Sequence, residues 1–249
     1  MTPLEAAASG VVQGLTEFLP ISSSGHLVLL HHFFGMKPPQ LFFDLILHLG
    51  TTLAIVITFW RDLCLLLAKE KRSLGLIGVG FFTTCLMGVA LADPIESIFQ
   101  KPRLVSVGFL VTACWLWLAM RRQGGVQPLN VWRSFLIGVS QGVAMAPGIS
   151  RSGATIATAL LLGVAPEEAL RFSFFLAIPT IGTAFAYEAL AHPITIEWAE
   201  GSVLIGFLTS VAVGLFAIQT LRLFLRRRRL HLFSLYLVGL GLAGLIYFK

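Results

Sequence analysis

Residues 10–35 read GVVQGLTEFLPISSSGHLVLLHHFFG and residues 138–163 read GVSQGVAMAPGISRSGATIATALLLG, so one pattern of 26 residues occurs twice, without a gap, at an offset of 128. Nine of the 26 positions are identical, and most of these, such as Gln13/Gln141, Ser22/Ser150, Ser24/Ser152 and Gly25/Gly153, lie in the polar middle, where apolar composition alone would not place them. Each copy is a mildly apolar stretch, a Pro/Gly/Ser-rich break and a second apolar run. That is the pattern of a broken helix. Ser22–Gly25 and Ser150–Gly153 are residue types that cap helix N-termini. The runs they open, Leu27–Phe34 and Ala154–Leu162, are shorter than the about 20 residues needed to cross a bilayer. Each copy therefore predicts a re-entrant helical hairpin. An unpaired backbone amide in lipid costs several kcal/mol, so a break at membrane depth has to be buried in protein or face a wet cavity. Two such tips predict one shared polar site.

Composition supplies the bilayer. The chain is 56% hydrophobic and 12% charged, with a mean hydropathy of +0.85, against roughly a quarter charged in a soluble domain. The first 35 residues carry polar motifs and no basic stretch ahead of their apolar part, so they read as mature protein and not as a cleavable signal. Cys64, Cys85 and Cys114 lie in or beside apolar stretches without metal-type spacing and predict no disulfide. Leu41–Trp60, Leu74–Ala92, Leu104–Met120, Ala169–Leu190, Ser202–Leu221 and Leu232–Phe248 each approach the length of a crossing. The expected fold is thus all-α: one polytopic membrane domain over residues 1–249, with six full spans and two re-entrant pairs.

Lys and Arg concentrate at residues 61–72 (four), 121–133 (three) and 222–229 (five), and the expected spans bring all three stretches to one side. The positive-inside rule makes that side cytoplasmic. Both termini and the loops 93–103 and 191–201 then lie outside; Glu197 and Glu200 suit that placement, whereas Lys101 and Arg103 run against it. The net charge of +6 follows from topology and implies no nucleic-acid partner. An odd number of spans separates the two copies, so the repeats, approximately 1–120 and 130–249, are expected to be inverted. Inverted repeats with discontinuous helices build sites near the midplane, where helix N-termini face an anion.

An ionisable side chain inside a membrane segment costs about 3 kcal/mol or more, which marks Glu17, His26 and Arg151 as functional candidates. Gln13 and Glu17 share one helix face, and Arg151 occupies the repeat position of Ser23. A carboxylate, an imidazole, hydroxyls, a guanidinium and two helix starts are what phosphoryl transfer requires. Arg151 can grip phosphate oxygens bidentately. Gln13, Ser22, Ser24, Gly25, Gly148, Ser150, Ser152 and Thr155 offer further donors around the developing charge. Ser23, His26 and water are the candidate nucleophiles. Ser23 lies one helical turn before His26, and either His26 or Glu17 can act as its base. Asp44 and His48, four apart, suit a hydrogen bond better than a metal. His31, His32 and Glu188 read as packing or structural residues.

The two motifs, Gln13-x-x-x-Glu17 with Pro20-Ile-Ser-Ser-Ser-Gly-His26, and Pro147-Gly-Ile-Ser-Arg-Ser-Gly-Ala-Thr155, closely resemble the signatures of the undecaprenyl-diphosphate phosphatase family, also called bacitracin-resistance proteins. The phrases FFDLILHLGTTLAIVITFWRDL and LRFSFFLAIPTIG extend the likeness over most of the chain. The resemblance implies hydrolysis of a long polyprenyl diphosphate to the monophosphate and phosphate, recycling the carrier lipid of cell-wall glycans, in a bacterial inner membrane with an outward-facing site. It places the family's acidic motif on Gln13 and Glu17, its serine and histidine on Ser23 and His26, and its arginine on Arg151. It also implies a divalent cation, Mg²⁺ or Ca²⁺, and no organic cofactor. The first acidic position is often Glu in the family. Gln13 leaves Glu17 as the one carboxylate of the motif, which speaks against a metal bridged between two carboxylates; Glu17 alone is the candidate ligand. The polyprenyl diphosphate and membrane lipids are the expected partners, and monomer and homodimer both stay open. A polyprenyl-phosphate transporter or flippase is the competing class, since inverted repeats serve transporters equally well; a scaffold would not explain the intramembrane charges.

Overall fold

The computed structural model describes residues 1–35, 41–91, 95, 98, 101–122, 125–191 and 200–248. They form eleven helices: α1 (Pro3–Phe18), α2 (Ser23–Phe33), α3 (Leu41–Thr58), α4 (Trp60–Lys69), α5 (Lys71–Ala90), α6 (Pro102–Arg122), α7 (Val131–Val143), α8 (Arg151–Leu161), α9 (Pro166–Ala191), α10 (Glu200–Arg226) and α11 (His231–Tyr247). No strand occurs among the described residues. Glu197 of the expected outer loop 191–201 and parts of the expected loop 93–103 lie outside them.

Helices α5, α6, α9 and α10 are long and apolar enough to cross a membrane, and α3 with α4 makes a fifth crossing if that bent pair is one span. The pair bends by 77°, which corrects two expectations. The span expected to run to Trp60 stops at Thr58, and the basic stretch after it, expected as a loop, begins as helix α4. The cause is an aromatic anchor. Phe59 is buried and sits edge-on to Phe174 and Phe175 of α9, with ring centroids 6.0 and 5.7 Å away. Helix α4 then leaves sideways, burying Leu66 and tying Asp62 to Arg171 of α9 at 3.3 Å. The last expected crossing is α11, an apolar helix of 17 residues.

The basic clusters meet at one end. Glu167, at the start of α9, pairs with Arg222 at 3.0 Å and Arg226 at 3.9 Å near the end of α10. Arg122 and Arg133 donate to the carbonyls of Leu161 and Leu162, the orphan acceptors at the C-terminus of α8. Helix α11 starts at this end and runs away from it, so that Phe248 meets His32 near the end of α2, with ring centroids 5.5 Å apart. Helices α2 and α8 therefore begin side by side in the middle of the molecule and run to opposite ends.

Close helix contacts repeat with the sequence pattern. Helix α1 packs on α10 and α7 packs on α5. A Cβ on Gly10 would lie 2.5 Å from the carbonyl oxygen of Gly206, and one on Gly138, the repeat mate of Gly10, 2.5 Å from that of Gly80. Lipid tails are as apolar as leucine, so membrane helices associate where small residues let backbones approach. Phe82, Leu86, Val89 and Phe216 face outward and exposed, as a lipid-facing surface requires.

Candidate active site

Both breaks end in the same cap. Ser22 Oγ accepts the Gly25 N–H at 3.3 Å, and Ser150 Oγ accepts the Gly153 N–H at 3.1 Å. The turns that deliver these serines differ. Ser22 itself takes the left-handed region, at φ 72°, at a cost of roughly 1–2 kcal/mol for a residue with a Cβ. In the second break the positive φ, 91°, falls on Gly148, where a Cβ would strike the Val105 carbonyl of α6. Thr112 of α6 locks this turn: its hydroxyl accepts the Ser150 N–H at 2.9 Å and reaches the Gly148 carbonyl at 3.2 Å.

Glu17 occupies the last turn of α1, 5% exposed, and gathers the other polar groups. Its Oε2 accepts the Ser23 hydroxyl at 2.6 Å and the Gln13 amide at 3.1 Å, and faces His48 Nε2 at 3.4 Å. Its Oε1 pairs with Arg151 Nη2. Arg151 opens α8, and its Nη1 reaches back to the Ser173 carbonyl of α9 at 3.4 Å. Thr155, one turn on, shares a hydrogen bond of 2.6 Å with the Ser173 hydroxyl. Carboxylate, serine and guanidinium thus form one contact set across the two breaks. Ser24 lies 3.5 Å from Ser22, and Ser152 lies 3.3 Å from Ser150 and 3.5 Å from the Leu19 carbonyl, lining the seam between the breaks.

His26 turns elsewhere. Its Nδ1 is 2.7 Å from the Ser22 carbonyl, and its Nε2 is 2.8 Å from the hydroxyl of Tyr236 on α11. The ring also stands edge-on to Phe109 at 5.3 Å. Of the two bases open to Ser23 in the sequence, Glu17 is the one its hydroxyl touches. His32 packs on Phe248, and His31 Nε2 lies 3.7 Å from Asp44 Oδ1. The Asp44–His48 pair is joined through the backbone, His48 Nδ1 to the Asp44 carbonyl at 2.7 Å.

Sequence reasoning assigns no part in the site to His48, Thr112, Ser173 or Tyr236. His48 carries a signal, a polar pair inside an apolar span. Thr112, Ser173 and Tyr236 lie on apolar helices, and nothing in their neighbours marks the face that meets the breaks.

Among the described residues no group of three His, Cys, Asp or Glu side chains comes together. Glu17 Oε2 already faces Ser23, Gln13 and His48, whereas Oε1 meets Arg151.

Comparison with known proteins matches the chain to a family. The family model described as bacitracin resistance protein BacA matches residues 6–243. An undecaprenyl-diphosphatase of Korarchaeum cryptofilum is 41% identical over 96% of this chain and 97% of its own length. Proteins of the same name from Desulfosudis oleivorans and Desulforudis audaxviator are 39% and 38% identical, over 97% and 99% of this chain and 97% and 98% of their own lengths.

Proposed function

Because the chain belongs to the BacA family of bacitracin resistance proteins, we infer that it releases phosphate from undecaprenyl diphosphate by attack of Ser23. It is an undecaprenyl-diphosphatase, a multi-pass membrane hydrolase of cell-wall biosynthesis. The observation that carries the assignment of roles is the Ser23 hydroxyl on Glu17 Oε2 at 2.6 Å, with Arg151 on the other oxygen.

In this reading Ser23 Oγ forms a bond to the terminal phosphorus while the bridging P–O bond breaks, its electron pair leaving on undecaprenyl phosphate. The serine proton passes to Glu17. Arg151 and the amides at the starts of α2 and α8 hold the non-bridging oxygens, where preorganised donors are worth most as charge builds. Water then attacks the phosphoserine, and Ser23 recovers its proton from Glu17 as phosphate departs. His26 stands beside this line, with Tyr236 on its Nε2. A divalent cation such as Mg²⁺ or Ca²⁺, once bound, would be held mainly by the diphosphate oxygens and would neutralise part of their charge.

Each broken pair is read as a re-entrant hairpin within six spans and an inverted repeat. The matched contacts of Gly10 and Gly138, and the opposite courses of α2 and α8, support that reading. The basic end is placed in the cytoplasm by the positive-inside rule, which turns the other end to the periplasm of an inner membrane. The contents of the site favour an enzyme over a carrier, because the arms are chemically unlike: the repeat mates of Glu17 and Ser23 are Met145 and Arg151.

The test is a rapid quench with substrate labelled in its terminal phosphate. Label on serine, stable to acid, is expected; acid-labile label on His26 would replace Ser23 as nucleophile. Ser23→Ala should lower turnover by about four orders of magnitude. Residual turnover above about a tenth of normal would make Ser23 an orienting residue.

A further inference from the structure

His48 belongs to neither repeat motif, yet both nitrogens of its ring face oxygens. Nδ1 is 2.7 Å from the Asp44 carbonyl and Nε2 is 3.4 Å from Glu17 Oε2. Neither oxygen can donate. One is a backbone carbonyl, and the other is the carboxylate that accepts Ser23 and pairs with Arg151. Toward Glu17, Nε2 can serve only as a donor. His26 makes the contrast. It has the same backbone contact four residues back, but its Nε2 meets the Tyr236 hydroxyl, a group that can donate.

Arg151 has two partners to serve. In this structure it is paired with Glu17, and to hold phosphate it has to turn N–H groups from that carboxylate toward the substrate. A buried charge left without its partner is strongly penalised. The other donors on Glu17 are Gln13, a neutral amide, and Ser23, whose proton is the one to be taken. His48 is the remaining side chain that faces Glu17 Oε2. We propose that His48 is a positioning residue of the active site, holding Glu17 Oε2 by a charge-assisted hydrogen bond so that the carboxylate stays aimed at Ser23 when Arg151 engages the phosphate.

This deepens the reading of Glu17 as acceptor of the Ser23 proton and rests on it. The two ring contacts can be separated by substitution. His48→Gln sets an amide nitrogen near the place of Nε2 and keeps a donor for Glu17. His48→Asn sets one near the place of Nδ1 and keeps only the backbone contact to Asp44.

The full-length protein, purified in detergent, is assayed for phosphate release from undecaprenyl diphosphate, with thermal unfolding followed alongside. His48→Gln should keep kcat within about threefold of normal, whereas His48→Asn should lower it about ten- to a hundredfold, with KM within about twofold, as for loss of one hydrogen bond to a charged group. Normal turnover in His48→Asn would overturn the proposal. So would a loss beyond about tenfold in a folded His48→Gln protein, which decides the matter even if the asparagine variant is too unstable to purify. Ser23→Ala belongs in the same series. If it stays active, the nucleophile assignment has failed, whereas normal turnover in His48→Asn beside an inactive Ser23→Ala shows that the positioning role alone has failed.

Discussion

At the scale of single residues, the site is built on one carboxylate with several claimants. Glu17 takes Gln13 from its own helix, Ser23 across the first break, His48 from α3 and Arg151 from the far half of the chain. The guanidinium is the claimant most sensitive to chemistry. Its two terminal nitrogens reach different oxygens, Glu17 Oε1 and the Ser173 carbonyl, a forked grip that lysine, with one compact ammonium, cannot reproduce. Arg151→Lys should therefore lower kcat/KM about a hundredfold, the scale of losing one transition-state donor. Phosphate release measured at matched protein level checks this, and near-normal turnover would show that charge alone suffices. The residues of this centre are largely legible in the sequence, because a polar group in an apolar segment stands out and Glu17, Ser23 and Arg151 all sit beside or in the breaks. Tyr236 is not. Its contact with His26 spans 210 residues and depends on the rotation of α11 about its own axis, which a nearly uniform apolar helix does not encode locally.

At the scale of elements, the close approach of helices sets where the breaks fall. Helix α1 carries Glu17 and is pressed to α10 through Gly10, seven residues earlier on the same helix. Gly10→Val would push that contact apart, with an overpacking penalty of about 1–3 kcal/mol, and should lower both the unfolding temperature and activity by moving the carboxylate. Gly78, where an added Cβ would meet nothing within 4 Å, supplies the control. Gly78→Ala should leave activity unchanged and raise stability by up to about 1 kcal/mol, the helix-propensity difference. Thermal unfolding in detergent measures both, and equal behaviour of the two substitutions would remove the packing argument. The helices and their caps are legible in apolar runs and Ser/Gly punctuation. The 77° bend after α3 is not, because its cause is the reach of Phe59 to Phe174 and Phe175, more than a hundred residues away.

At the scale of the whole molecule, the gathering of basic residues at one end gives a direct test of orientation. With Cys64, Cys85 and Cys114 replaced, single cysteines at the exposed positions Val126 and Phe33 should react with an impermeant reagent from opposite sides of the membrane. Labelling of both from outside would sink the inverted arrangement. Glu17 and Arg151 are separated by 134 residues, and each half of the chain contributes one side of the centre. During synthesis the carboxylate, the serine and His48 enter the bilayer with the first half, and the arginine follows only when α7 and α8 have been made. With Ser23 and Arg151 acting together as proposed, the nascent protein is expected to stay inert toward the lipid around it until α8 has docked.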